Sequence, residues 1–454
     1  MKILFVNPPV IRFGTDSPEH DPRLRSLLFR MKLAGRHFPI LYRFFDRLGI
    51  GRDARFGVRA GSRWPWTMDV PHGGPPYPFI MGYAAGLLRH EGFDVNIIDA
   101  VADEDYSYRH FIDNVRKEHA DIVVIECSTP TIDIDLWMAK EISAFTKVAL
   151  AGPHLRSNDQ EIEKDCPSIT FLLEGEYIQS VLKMARTQQP GIYESEVVTD
   201  LDALPFPFRD YPAATKYFDP TMPTLRPQLQ VYGSKGCPFK CTFCLWPQTM
   251  YEGKVAFRKP EKIAEEIRYC VEKYGYKSIF FDDDTFNVGT ERISRLCDEL
   301  KTIGLPWTMM GRLDCSPDWL YDKMVDSGCV GMRFGIETFD LNILKRINKG
   351  IERVDFRKTL EHLSDAYPDL FLHVTMMKDL PGQTEEIHNN DMKILHDLGF
   401  SPKNMRRSYQ LSACAPFPGT KMYEDLVKEK GELLNDFSRY DGGQSTVMNE
   451  VNRQ

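Results

Sequence analysis

Short apolar runs alternate with amphipathic stretches along most of the chain. Ile3 to Val6 is an apolar run stopped by Asn7-Pro8-Pro9, whose prolines donate no ladder hydrogen bond, and it predicts a buried strand. Val95 to Ile98, Ile122 to Ile125, Val148 to Leu150 and Thr170 to Leu173 predict four more. Helical patterning fills Phe79 to His90, Tyr108 to Lys117, Ile134 to Ala144 and Glu176 to Ala185 between them. Strands that take turns with helices predict a parallel, doubly wound α/β sheet.

The pattern breaks between Pro190 and Pro227, where seven prolines (190, 205, 207, 212, 220, 223 and 227) suit a stiff, extended connector. Beyond it the alternation resumes. Leu229 to Tyr232, Ser278 to Phe281, Trp307 to Met310, Gly331 to Gly335, Leu370 to Met376 and Arg407 to Leu411 predict strands. Helices are predicted over Glu261 to Lys273, Glu291 to Thr302, Trp319 to Asp326 and Glu385 to Leu398, and near Asn342 and Arg353. About six strand–helix units suggest a partial (β/α)6 barrel rather than a closed eight. The expected division is 1–189 for the first domain, 190–228 for the connector, 229–415 for the barrel and 416–454 for a short C-terminal segment. No internal repeat is evident.

The 454 residues leave room for about three domains or two larger ones, and a 42% apolar, 27% charged composition is that of chains with proper cores. Net charge is −8, which argues against nucleic acid as a partner of the whole protein. The balance is uneven. Twelve Arg/Lys against five Asp/Glu make Ile11 to Arg63 +7 and leave −15 for the rest. Leu24, Leu27, Leu28 and Met31, and then Ile40, Leu41, Phe44, Phe45 and Leu48, predict two amphipathic helices in this basic insertion at about 11–69. No apolar run is long enough to cross a membrane, and the N-terminus is too short in its apolar part for a signal peptide, so a cytoplasmic location is expected.

Ten cysteines with three of them clustered do not form a secreted disulfide framework. Cys237-Pro238-Phe239-Lys240-Cys241-Thr242-Phe243-Cys244 puts three thiols within eight residues, in a loop after the first strand of the second domain. Structural zinc takes four protein ligands, whereas three thiolates suit a four-iron cubane with one open iron. The other seven cysteines read as small buried apolar residues.

This spacing resembles the radical S-adenosylmethionine (SAM) superfamily, in which Cys237, Cys241 and Cys244 would hold a [4Fe-4S] cluster and act as the catalytic trio. The open iron of such a cluster chelates SAM, and an electron from a low-potential donor such as ferredoxin or flavodoxin cleaves it to a 5′-deoxyadenosyl radical. The resemblance implies that Phe243, the aromatic between the last two cysteines, is a cofactor contact. It further implies that Asp282 and Asp283 hold the methionine ammonium and Arg312 the methionine carboxylate, that Glu337 accepts the ribose hydroxyls, and that Gln410 lines the sixth strand's end. Leu380-Pro381-Gly382-Gln383-Thr384 and Pro416 to Thr420 lie at matching positions.

A doubly wound sheet ahead of such a barrel resembles the cobalamin-dependent branch, the class B methyltransferase-like members, with a Rossmann-like cobalamin-binding domain. The implied contacts are Asn7, Pro8 and Pro9; Pro75, Tyr77 and Met81; Ser128, Thr129 and Thr131; Gly152, Pro153 and His154; and Glu174, Gly175 and Glu176, all beside strand C-termini. No D-x-H-x-x-G sequence occurs, so a base-off cofactor without that histidine ligand is implied. Cys244-Leu245-Trp246-Pro247-Gln248 and Arg258-Lys259-Pro260 look like the cyclase and hopanoid-associated members.

The resemblance implies methyl transfer from methylcobalamin to an unactivated sp3 carbon after hydrogen abstraction. An oxidative cyclase or rearrangement enzyme on a small molecule or lipid is the alternative enzyme, and an iron-sulfur sensor or electron carrier the non-catalytic one. The basic insertion leaves three readings open, a docking arm for an acidic protein or peptide, a membrane-surface helix that reaches a lipid, and packing against its own domain; a polypeptide substrate is favoured among them, for example a glutamine of methyl-coenzyme M reductase.

Overall fold

The computed structural model describes residues 1–9, 11–12, 30–31, 55–58, 66–68, 74–222, 224–351, 355–431, 433, 437–442 and 447–448. The chain divides into two compact units. The first comprises Met1–Val197, Pro205–Ala214 and Leu434–Gln444, the second Val198–Leu204, Thr215–Leu433 and Ser445–Gln454.

In the first unit β1 (Lys2–Asn7), β5 (Asp94–Asp99), β6 (Ile122–Glu126), β7 (Lys147–Gly152), β8 (Phe171–Glu174) and β9 (Gly191–Tyr193) form one parallel sheet in the order β5-β1-β6-β7-β8-β9. The strands read as unbroken apolar runs because both faces are covered. Leu4, Val6, Val123, Ile125, Val148 and Leu150 pack on one side with Phe111, Met138 and Ile142, while Ile3, Phe5, Val124 and Ala149 are as deeply buried on the other. The order is the flavodoxin type, which reverses direction beside β1. Ligands of such sheets bind at the strand C-termini around that reversal, here Asn7 and the turn after Glu126.

Two expectations change in this unit. Gly191–Tyr193, placed by the sequence reading in the connector, is the edge strand of the sheet. The proline-rich 205–214 stretch also belongs here rather than to a spacer. Tyr77 Oη donates to the Phe208 carbonyl at 2.8 Å, and Phe208 N donates to the Gly82 carbonyl at 2.8 Å. The missing side chains of the helix Phe79–His90 make that docking possible: a Cβ on Gly82 would lie 2.1 Å from Tyr77 Oη, and one on Gly86 would lie 2.6 Å from the Phe206 carbonyl oxygen. Gly86→Ala is therefore expected to cost about 1–3 kcal/mol, since the backbone of 206–208 cannot yield as a side chain would. Chemical denaturation would show this, and an unchanged midpoint would mean that the 205–214 docking is loose.

Of the two helices expected in the basic insertion, only Arg30 and Met31 are among the described residues, and they are helical; the rest lie outside them. The described insertion residues otherwise form a three-stranded antiparallel sheet that the sequence reading did not anticipate, of β2 (Ile11–Arg12), β3 (Arg55–Val58) and β4 (Trp66–Met68).

In the second unit β10 (Gln228–Val231), β13 (Ser278–Phe281), β14 (Trp307–Gly311), β15 (Cys329–Glu337), β16 (Phe371–Lys378) and β17 (Arg407–Ala413) follow one another in chain order, all parallel, as an open six-stranded barrel wall. Period-two alternation sorts the side chains. Leu229, Val231, Ile279, Phe281, Trp307, Met309, Met332, Phe334, Leu372 and Val374 belong to the core against the helices. Gln230, Thr308, Arg333, His373, Thr375 and Gln410 alternate with them on the other face. The unit is wider than the expected 229–415. Asp219 pairs with Arg333 of β15, and the helix Lys421–Lys430 belongs to it too. The 416–454 segment is accordingly no unit of its own, because 434–444 returns to the first unit. Among the described residues, no helix is long and apolar enough to cross a membrane.

Candidate functional site

The three clustered cysteines lie in the loop between two short strands, β11 (Ser234–Lys235) and β12 (Ala256–Phe257), which pair antiparallel and close it like a clasp. The clasp is fixed from β13. Asp283 accepts from Gly233 N at 2.8 Å and from the Ser234 hydroxyl at 2.6 Å, and Asp284 accepts from Gly236 N at 2.9 Å. Gly236 has φ +81°, and a Cβ there would sit 2.2 Å from the Lys254 carbonyl oxygen, so only glycine lets the loop enter at this angle. Gln248 gathers the far end. Its amide nitrogen donates to the Cys244 carbonyl at 2.6 Å, and its amide oxygen accepts from Lys421 N at 2.8 Å. Thr242 N donates to the Ile347 carbonyl at 2.9 Å.

The loop brings the three thiols into one another's field. Burial pushes the Cys237 and Cys244 thiols up, Cys244 strongly, and the neighbouring cysteines add to both. Such thiols are poor free nucleophiles, and a bound cation would reverse the penalty. Among the described residues no three His, Cys, Asp or Glu converge on a single-ion position. Three thiols in a common field suit a cubane, whose irons each take one thiolate, and fall short of the four protein ligands of structural zinc.

Around this loop stand the ends of the barrel strands. Glu337 closes β15 at φ +71°, and its Oε1 accepts from Lys349 Nζ at 2.7 Å. Lys349 is buried. Burial pulls its ammonium down, but Glu337 and the Cys241 thiolate outweigh that and hold its pKa above the usual value. A Cβ on Gly335 would lie 2.8 Å from Glu337 Oε1 and 3.2 Å from Lys349 Nζ, so glycine leaves room for the pair. Arg312 follows β14 with its fork on Asp314.

The structure thus brings Cys237, Cys241, Cys244, Arg312 and Glu337 together, with changes of role. Asp283 gives one lone pair of each oxygen to the clasp, so it also serves as an anchor of the cysteine loop. Arg312 has both carboxylate-facing nitrogens engaged by Asp314 and does not present a free fork. Asp282 is buried just past β13, and Phe243 is buried in the loop. Gln410 lies further along the wall on β17, its amide on Ser412 at 3.0 Å. Lys349 and Gln248 are the site residues without an assigned role in the sequence reading. Gln248 carries a signal in sequence, as the last residue of Cys244-Leu245-Trp246-Pro247-Gln248; Lys349 lies in a loop after Leu341–Arg346 with no periodic signal.

In the first unit the predicted residues gather at the sheet's C-terminal edge. Asn7 Nδ2 donates to Asp99 at 2.9 Å, with Pro8 and Pro9 following. Ser128 and Thr131 share a hydroxyl contact of 2.9 Å, and Thr131 donates to Asp135 at 2.8 Å. His154 Nδ1 is 3.1 Å from the Thr129 hydroxyl, and its ring meets Phe437 edge-on at 4.9 Å. Glu174 accepts from Arg156 at 3.2 Å, yet burial and Asp159 push its carboxyl up to about 7. Gly152 (φ +123°) is needed for packing, because a Cβ would meet the Cys127 carbonyl oxygen at 2.7 Å; that space is therefore not free for a nucleotide. Pro153, Gly175 and Glu176 complete the edge, while Met81 is buried and Tyr77 is buried against Phe208 of the 205–214 segment. Hydroxyls, a histidine and the positive-φ Gly175 along the C-terminal edge of the sheet suit a bulky amide-bearing ligand such as a corrin with a nucleotide tail.

Burial lowers His154 to about 4, so the folded protein keeps it neutral where the unfolded chain, near the usual 6.5, takes up a proton. The unfolded state then binds more protons between these values, and the His154 contribution to stability falls as pH drops from about 6.5 to about 4. The gap in unfolding free energy between wild type and His154→Gln, measured without ligands, should narrow over that window. A constant gap would contradict it.

Residues 231–393 match the radical SAM superfamily. The chain is 25% identical over 393 residues to an uncharacterized methyltransferase of Pyrococcus horikoshii, covering 80% of this chain and 81% of that one. It is 22% identical over 414 residues to the anaerobic magnesium-protoporphyrin IX monomethyl ester cyclase of Cereibacter sphaeroides, covering 85% and 63%. Its fold is similar to that of the radical SAM methyltransferase TsrM of Kitasatospora setae, solved with cobalamin and a [4Fe-4S] cluster bound (TM-score 0.60, 13% identity, 79% and 74% covered). With its cysteine loop and open barrel wall, the segment 231–393 matches the radical SAM superfamily, and together with the preceding flavodoxin-type sheet the chain has a two-domain fold similar to that of the cobalamin-binding methyltransferase.

Proposed function

We propose that this protein is a cobalamin-dependent radical SAM C-methyltransferase that acts on an unactivated sp3 carbon. The observation that carries the reading is the thiol trio in the clasped loop, set beside the Glu337–Lys349 pair at the strand ends of the barrel. A cluster with SAM would supply the hydrogen-abstracting radical, and cobalamin would supply the methyl group. Cys237, Cys241 and Cys244 would hold the cluster, and Asp283, Asp284 and Gln248 keep the loop in shape for it. The Arg312 fork is taken by Asp314, whereas Lys349 has one of its three N–H donors on Glu337 and keeps two for the methionine carboxylate, with Glu337 as the acceptor for the ribose hydroxyls. The edge residues Asn7, Ser128, Thr129, His154 and Gly175 would receive the corrin and its tail. A low-potential ferredoxin or flavodoxin would deliver the electron.

A second reading, oxidative cyclisation, is favoured by the similarity to the ester cyclase. Product analysis separates the two. Methyl transfer yields S-adenosylhomocysteine together with 5′-deoxyadenosine, whereas cyclisation yields no S-adenosylhomocysteine. For the substrate we keep to a polypeptide, on the +7 charge of Ile11 to Arg63. Deleting Arg23 to Arg52 should weaken substrate binding about tenfold or more, in a salt-sensitive manner. Equal affinity with and without the segment would remove the basis for a polypeptide.

A further inference from the structure

The Arg312 side chain is held on every side but one. Nε and Nη2 donate to the two Asp314 oxygens at 2.9 and 2.8 Å, and Nη2 donates also to the Lys349 carbonyl at 2.8 Å. Its guanidinium carbon lies 3.7 Å from the centre of the Phe239 ring, and Arg312 N donates to Asn287 Oδ1 at 3.0 Å. The residue is 4% exposed. What remains is Nη1, which faces Cys241 Sγ at 4.0 Å. A guanidinium bolted in this way cannot swing out to follow a ligand. Its charge stays beside one sulfur of the cysteine trio.

Positive charge and N–H donors at a cluster's thiolate sulfurs stabilise the added electron and raise the reduction potential. Asp314, bound to the opposite edge of the fork, offsets part of that charge. We propose that Arg312 is a positioning residue that sets the potential of the cluster through the Cys241 sulfur, with Asp314 as the counterweight that limits its effect. This rests on the reading of the three cysteines as cluster ligands. It assigns Arg312 to the electron-accepting step, upstream of any contact with SAM.

Full-length wild type, Arg312→Gln and Asp314→Asn, reconstituted anaerobically with iron and sulfide, are compared for iron content and for midpoint potential in an EPR-monitored redox titration without SAM. The two variants should shift in opposite directions at wild-type iron content, Arg312→Gln to a more negative potential and Asp314→Asn to a less negative one. Arg312→Lys, which keeps the charge and loses the fork, should fall between Arg312→Gln and wild type. Unchanged potentials, or shifts of the same sign in the first two variants, overturn the proposal. If Arg312→Gln takes up no iron, the sign of the Asp314→Asn shift decides; if both variants fail where wild type succeeds, Arg312 is scaffold and the proposal is wrong. Failure of the wild type itself to take up iron would instead strike the cluster reading.

Discussion

Cys244→Ala should take up iron poorly, lack the broad visible absorption of an iron-sulfur cluster, and form no 5′-deoxyadenosine above the blank with reductant alone. Each iron of a cubane is held by one thiolate, so removing one sulfur leaves two protein ligands for a centre that requires three. The position is unforgiving because the loop cannot rearrange around the loss. Its ends are pinned by Asp283, Asp284 and Gln248. Cys270→Ala is the internal control. That thiol sits in the apolar core with Leu229, Ile267 and Ile279, and its loss should lower stability while leaving iron content and SAM cleavage intact. Wild-type cluster content in Cys244→Ala would mean that the trio is not the ligand set.

Lys349→Met should destabilise the second unit by about 3–5 kcal/mol, because it leaves the Glu337 carboxylate buried without its cation. Both partners are nearly inaccessible, at 5% and 7% exposure, so solvent does not screen the 2.7 Å pair. Adding Glu337→Leu to Lys349→Met should recover most of the loss, since two apolar groups replace two charges and none is left unpaired. A double-mutant cycle by urea denaturation of the cluster-free protein measures this. A single-variant loss below about 1 kcal/mol, the size of an exposed pair, would contradict the burial of the site. The double variant should remain unable to bind SAM, which separates the pair's part in the cosubstrate site from its part in folding.

The features that the sequence made legible were those written in periodicity and spacing. Phe79–His90, Tyr108–Lys117 and Ser278–Phe281 lie where the apolar pattern puts them, because each buries one stripe or one continuous run. The helix Leu155–Asp165 was missed for the opposite reason: only Leu155 and Ile162 of its eleven residues are buried, and the rest is polar. Gly191–Tyr193 is too short to carry alternation, and the prolines around it speak for a connector until the sheet supplies the pairing. The cysteine trio was plain because metal chemistry fixes its spacing. The use of Asp283 as a clasp anchor was not, since it depends on the barrel bringing Ser234 to it across 49 residues. Lys349 reaches Glu337 only because Gly335 leaves space, a relation between three positions that no local pattern records.

The most direct test is SAM cleavage by anaerobically reconstituted full-length protein under dithionite. The account predicts a four-iron cluster by iron analysis and EPR, and 5′-deoxyadenosine formed in step with loss of SAM. Protein that takes up no cluster with all three cysteines intact, or that holds one and leaves SAM whole, would contradict it.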